Sequence, residues 1–299
     1  MTTATPAPPV PLLAVPNRTA VRVVAHRGSS GAVPEHTLAA YRRAIEEGAD
    51  ALECDVRLTA DGHLVCVHDR RVDRTSNGRG VVSTLELAQL AELDFGSWRE
   101  EALPPEEPEA PDRDPELPVP GGRLPDPERS SVLTLERLLE LVADAGRRVE
   151  LAIETKHPTR YAGRVEAELL RMLHRFGLVG QDPRQPDGAG PGPVRIMSFS
   201  QLSLRRVREA APSIPTVFLM ERLPLRFRDG SLPRGVEIAG PGIELVRANP
   251  GFVARLHRAG HRVHVWTVDD PADVELCLRL GVDAIITNRP REVLDQLGR

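Results

Sequence analysis

Short β-branched runs alternate with amphipathic helical patterns along most of this 299-residue chain, and no other feature constrains its fold as strongly. Strands are expected at 21–25, 51–56, 149–154, 194–198, 216–219, 236–239, 262–267 and 284–287. Helices are expected at 38–47, 135–145, 162–176, 202–210, 252–259, 272–280 and 291–297. Gly48, Gly146, Gly177, Gly260 and Gly281 stand just past helical patterns, where a left-handed cap is wanted. The 221–235 stretch carries no helical pattern. Strand, helix, strand repeated about eight times implies parallel pairing through right-handed crossovers. The expected architecture is therefore an α/β fold, a closed TIM (β/α)8 barrel, with a doubly wound open sheet as the alternative.

Three segments break the alternation. Residues 1–18 hold five prolines and no early basic cluster, which fits a disordered tail better than a signal peptide. Residues 102–127 hold nine prolines and seven acidic residues and are expected to form a flexible, exposed acidic insertion. Residues 181–193 read as a Pro/Gly connection. A single domain over 19–299 follows. The net charge of −4, from 39 Lys and Arg against 43 Asp and Glu, gives no general reason to bind nucleic acid. No apolar run approaches the roughly 18 residues of a spanning helix, so no stable membrane insertion is expected. Cys54, Cys66 and Cys277 are odd in number and set among apolar residues, which argues for free thiols in a reducing, cytoplasmic setting. Oligomeric state is open.

Strands of a parallel barrel should be apolar, so charges at their C-terminal ends need a reason. The first strand runs into His26-Arg27-Gly28. The second carries Glu53 and Asp55, two residues apart and so on one face. The 64–67 run, read as a small extra strand, leads to His68-Asp69, and the third barrel strand ends in Glu154-Thr155-Lys156. Converging carboxylates repel unless a cation compensates them. Glu53, Asp55 and Glu154 are hard oxygen donors suited to one divalent cation, Mg²⁺ or Ca²⁺, with Mn²⁺ also admissible. That cation with Arg27 and Lys156 suits an anionic phosphate, and two imidazoles supply a base and an acid for breaking a P–O bond.

These residues resemble the glycerophosphodiester phosphodiesterase family. The resemblance is carried by His26-Arg27-Gly28, Pro34-Glu35-His36-Thr37, Glu53-Cys54-Asp55-Val56, Asp61-Gly62 and Val67-His68-Asp69. It resumes at Leu133-Thr134-Leu135-Glu136, Glu154-Thr155-Lys156, Phe199-Ser200, Val265-Trp266-Thr267-Val268 and Gly281-Val282-Asp283-Ala284-Ile285-Ile286-Thr287-Asn288, covering roughly 21–297. It implies a TIM barrel that hydrolyses small glycerophosphodiesters to glycerol 3-phosphate and an alcohol with a divalent metal. By the same resemblance the metal ligands fall on Glu53, Asp55 and Glu154, the catalytic histidines on His26 and His68, and the phosphate-binding cations on Arg27 and Lys156. Glu35 matches a carboxylate that contacts a metal or the glycerol hydroxyls, and Trp266 an aromatic wall of the substrate pocket. His36 stands where the family usually has Asn, which places it near the metal and the glycerol end. Alternatives are a lysophospholipase D-like activity, a lyase that stops at a cyclic phosphate, and a non-catalytic barrel that binds phosphodiesters.

Overall fold

The computed structural model describes residues 20–99, 126–161, 163–179 and 194–299; the expected tail at 1–18, nearly all of the 102–127 insertion and the 181–193 connection lie outside the described residues. The strands are β1 (Arg22–His26), β2 (Ala51–Leu58), β3 (Leu64–Cys66), β4 (Glu150–Thr155), β5 (Val194–Ser198), β6 (Thr216–Met220), β7 (Ile238–Pro241), β8 (Arg262–Val265) and β9 (Ala284–Thr287). They follow the order β1-β9-β8-β7-β6-β5-β4-β2-β3, and β1 also pairs with β2. That second pairing closes the eight parallel strands into a barrel and leaves β3 as an antiparallel appendage of β2. The open-sheet alternative is thereby excluded.

Register does the positioning. His26 pairs with Glu53 across β1 and β2, and Asp55 pairs with Glu154 across β2 and β4. In a parallel pair, residues in register share a face, so all four side chains point into the barrel at its C-terminal end. Val24, Ala51 and Ala152 stand one pleat or more below them on the same strands, and with Met197, Val217 and Ile238 they fill the interior. The alternate residues of the same strands, Leu52, Cys54, Val56, Leu151 and Ile153, face outward and pack against helices through Leu135, Leu138 and Leu169. This strict two-residue alternation sorts apolar residues to the outer core and lets charged ones collect within.

Helix ends follow their local chemistry. Thr37 caps the helix Leu38–Glu46 by accepting from the Ala40 amide, and Thr134 caps Leu135–Ala143 in the same way. Gly48, Gly146, Gly177, Gly260 and Gly281 all adopt positive φ after their helices, as expected. Between β7 and β8 a short helix, Ile243–Ala248, escapes a sequence reading because it is less than two turns long. β7 begins two residues later than the expected 236–239 run and extends through Gly240 and Pro241, which read as breakers. Among the described residues no helix is long and apolar enough to cross a membrane. All three cysteines are free and buried.

Candidate active site

Glu53, Asp55 and Glu154 are buried, and one carboxylate oxygen from each lies within 4.8 Å of the others. Lys156 Nζ stands 2.9 Å from Glu154 Oε1 and 3.2 Å from Asp55 Oδ1, and Arg27 Nε stands 3.0 Å from Asp55 Oδ2. Two cations do not satisfy three carboxylates. Burial, followed by the charge of Asp55, pushes Glu154 up to about 8 and Glu53 well above the carboxylate range. Burial works against the ionised form of Asp55 too, but a His36 hydrogen bond, Lys156 and Arg27 hold it well below its ordinary value. Asp55 Oδ1 is buried and lacks a hydrogen bond of good geometry. A hard oxygen with an ion-pair partner but no hydrogen bond, beside two carboxylates that resist ionisation, is the donor set a divalent cation fits.

The two histidines meet this cluster with different backing. His26 Nδ1 lies 2.7 Å from Asn288 Oδ1, and Asn288 Nδ2 donates to Asp269 Oδ2 at 2.6 Å. Because the Asn288 amide is oriented by Asp269, its oxygen must receive the His26 Nδ1 proton, and the His26 Nε2 lone pair turns toward Glu53 at 4.0 Å. Burial and the adjacent Arg27 keep His26 neutral, down to about 4. His68 Nδ1 lies 2.7 Å from Asp69 Oδ1, so its partner is a carboxylate. The antiparallel β3 folds this segment back over β2: the Val67 amide donates to Asp55 O, and Arg57 donates twice to His68 O at 3.0 and 2.7 Å.

Arg27 sits at φ +59, a left-handed conformation costly for a residue with a side chain. Its amide is held by both the carbonyl and the carboxylate of Glu53, at 3.1 and 3.0 Å, and these contacts offset the strain. Gly28 follows at φ +83, where a Cβ would come within 2.6 Å of the Ala40 backbone. Hence the strand turns sharply under the helix Leu38–Glu46, and the turn presents Arg27 to the cavity.

His26, Arg27, Glu53, His68, Glu154 and Lys156 line one cavity of ≈ 240 Å³, whose apolar wall includes Phe199 and Trp266. These two rings meet edge to face at 5.5 Å, and Trp266 Nε1 donates to Gly240 O at 2.7 Å. Glu35 is placed differently from the other expected residues. Arg27 takes one of its oxygens and Arg74 takes both, which holds Glu35 down at about 2 although burial opposes this. It stands outside the carboxylate triad. His36 lies beside the triad: at φ +59 and buried, it has Nε2 2.9 Å from Asp55 Oδ2 and Nδ1 2.8 Å from the Tyr41 hydroxyl. It clamps a triad member from behind, and Thr37 does the helix capping. Sequence reasoning gave no role to Asn288, Asp269, Arg74 or Tyr41; for Asn288 the signal was its place at the end of the 281–288 motif.

A sequence profile described as the glycerophosphoryl diester phosphodiesterase family matches residues 26–292. The chain is 44% identical over 268 residues to a Mycobacterium tuberculosis protein named probable glycerophosphodiester phosphodiesterase 1, covering 90% of this chain and 89% of that one. The chain belongs to the glycerophosphoryl diester phosphodiesterase family. It is a phosphoric diester hydrolase. The Bacillus subtilis glycerophosphodiester phosphodiesterase is 35% identical over 272 residues, covering 90% of this chain and 84% of that protein. In fold, the phosphodiesterase of Oleispira antarctica, solved with the product sn-glycerol-3-phosphate, superimposes with a TM-score of 0.72 at 22% identity, covering 94% of this chain and 98% of that one.

Proposed function

We propose that this phosphodiesterase hydrolyses small glycerophosphodiesters, such as glycerophosphocholine, to glycerol 3-phosphate and an alcohol, using a divalent cation held by Glu53, Asp55 and Glu154. The reading rests on one observation: a buried carboxylate triad, two of whose members line the cavity, meets two cations and two histidines with free Nε2 atoms in the same wall. Mg²⁺, Ca²⁺ and Mn²⁺ all suit these oxygen donors. Bound there, such an ion would neutralise the triad and draw electron density from a phosphoryl oxygen.

The protein's own groups account for the rest. Lys156 and Arg27 face the cavity and hold the remaining phosphoryl oxygens, and Glu35 aims Arg27 from outside it. His26, fixed as the Nδ1–H tautomer by Asn288, accepts at Nε2 the proton of the glycerol 2-hydroxyl as that oxygen bonds to phosphorus and the alcohol's P–O bond breaks; water then opens the cyclic phosphate to glycerol 3-phosphate. His68 is the acid that protonates the leaving alkoxide from Nε2: burial, Arg27 and Lys156 lower its pKa, and Asp69 at Nδ1 works against them by favouring the imidazolium. Trp266 and Phe199 cover the carbon face of the glycerol. The free, buried thiols support a reducing, cytoplasmic setting.

Glycerophosphocholine, glycerophosphoethanolamine and lysophosphatidylcholine should be assayed side by side with each ion after thorough chelation. Activity on the glycerophosphodiesters should vanish with EDTA and return with a divalent ion, and Glu154→Gln should weaken the metal's affinity. Full turnover in EDTA would overturn the metal-dependent reading.

A further inference from the structure

Beside the catalytic cavity lies a larger one, of ≈ 490 Å³, with Lys156 in the wall of both. Its charged lining is all of one sign: Arg57, Arg70, Lys156 and Arg160, with no acidic residue among the described lining residues. Most arginines near the site are ion-paired, as Arg27 is to Glu35 and Asp55 and Arg74 to Glu35 and Asp69. Arg57, Arg70 and Arg160 are not. Among the described residues none of them has a carboxylate partner. Arg57 spends two donors on the His68 carbonyl, and Arg160 lies over the Tyr161 ring at 5.7 Å. Asp55, Glu154 and Asp69 act on Arg57 from the adjoining site, and Lys156 is paired to Asp55 and Glu154. Arg70 and Arg160 have no such partner among the described residues, and guanidinium groups gathered in a concavity with no ion pair of their own attract an anion.

The cavity lies on the His68 side of the catalytic centre: Arg57 grips the His68 backbone, and Arg70 follows two residues later. That is the side on which the leaving alcohol receives its proton in the function proposed above, and the present inference rests on that reading. We infer that the cavity lined by Arg57, Arg70 and Arg160 binds an anionic group, a phosphate monoester or carboxylate, on the leaving alcohol, and that the enzyme prefers glycerophosphodiesters with a negatively charged alcohol arm.

Glycerophosphoinositol and its ring phosphomonoester form a matched pair of substrates, with glycerophosphocholine as a cationic control. At low salt the phosphomonoester should show a kcat/KM about tenfold or more above glycerophosphoinositol, the scale of one charge-assisted hydrogen bond, and added salt should erode the difference. The double variant Arg70→Gln/Arg160→Gln should lose that preference and keep the wild-type rate on glycerophosphocholine. Equal rates on the matched pair, or a double variant slowed equally on all three, overturns the inference. Calorimetric titration of the metal-free protein with inositol monophosphate separates this outcome from failure of the phosphodiesterase reading. Binding by the wild type, about tenfold weaker in the double variant, supports the site even if none of the three is turned over; absence of binding overturns it.

Discussion

His26 and His68 face one cavity but answer to different partners, an amide oxygen and a carboxylate. A histidine whose Nδ1–H is committed to an amide keeps a lone pair at Nε2, and the carboxylate behind His68 favours the imidazolium against the burial that lowers its pKa. His26→Ala and His68→Ala should each lower kcat by roughly 10²–10⁴-fold with the fold intact. Asn288→Leu removes the acceptor that fixes the His26 tautomer, so it should reproduce part of the His26→Ala loss in kcat while leaving metal affinity, read by titration, at the wild-type level. Wild-type kcat in Asn288→Leu would reduce that contact to a structural one. His36 was legible as an anomaly in the motif and as a neighbour of the metal site, but its bond to Asp55 was not. A residue at φ +59 reverses the chain's direction, and that conformation turned the ring toward Asp55.

At the scale of elements, the β1–helix turn carries the greatest demand. Gly28 combines positive φ with a contact no Cβ could make, 2.6 Å from the carbonyl carbon of Ala40. Gly28→Ala should destabilise the protein by more than about 1 kcal/mol in urea unfolding, since backbone strain and steric displacement add. It should also cut activity out of proportion, because Arg27 is the preceding residue. Unchanged stability would mean that the helix Leu38–Glu46 can shift freely. The antiparallel β3 is the other element that matters: it was visible as a 64–67 run, yet its direction was not, since a three-residue strand has no periodicity from which direction can be read. Its reversal alone brings His68 back over Asp55.

Over the whole molecule, charged residues on separate elements tie the barrel's outer layer together. Glu166, in the first turn of the helix Arg164–Arg175, is buried and has His157 Nε2 and Arg206 NH1 each 3.3 Å from its Oε1. Burial favours its neutral form, but His157 and its other hydrogen-bond partners prevail and lower it from 4.5 to about 2. A depressed carboxyl binds fewer protons folded than unfolded, so its stabilisation is complete above pH 4.5 and drains away between pH 4.5 and about 2. Glu166→Gln should therefore flatten that part of the curve of Tm against pH; an unaltered acid limb would assign acid unfolding to other groups. The sequence by itself determined the βα alternation, the closed barrel as the economical solution, and the residue types at the strand ends, because these depend on neighbours within a few positions. Only the tertiary structure decided which carboxylate oxygen lacks a hydrogen bond, which nitrogen of His26 is free, that Glu35 pairs with Arg27, and that a second, cationic cavity adjoins the first. Each of these depends on strand order and register, which bring His26 to Asn288 across 262 positions of chain, and such pairings leave no local pattern in the sequence.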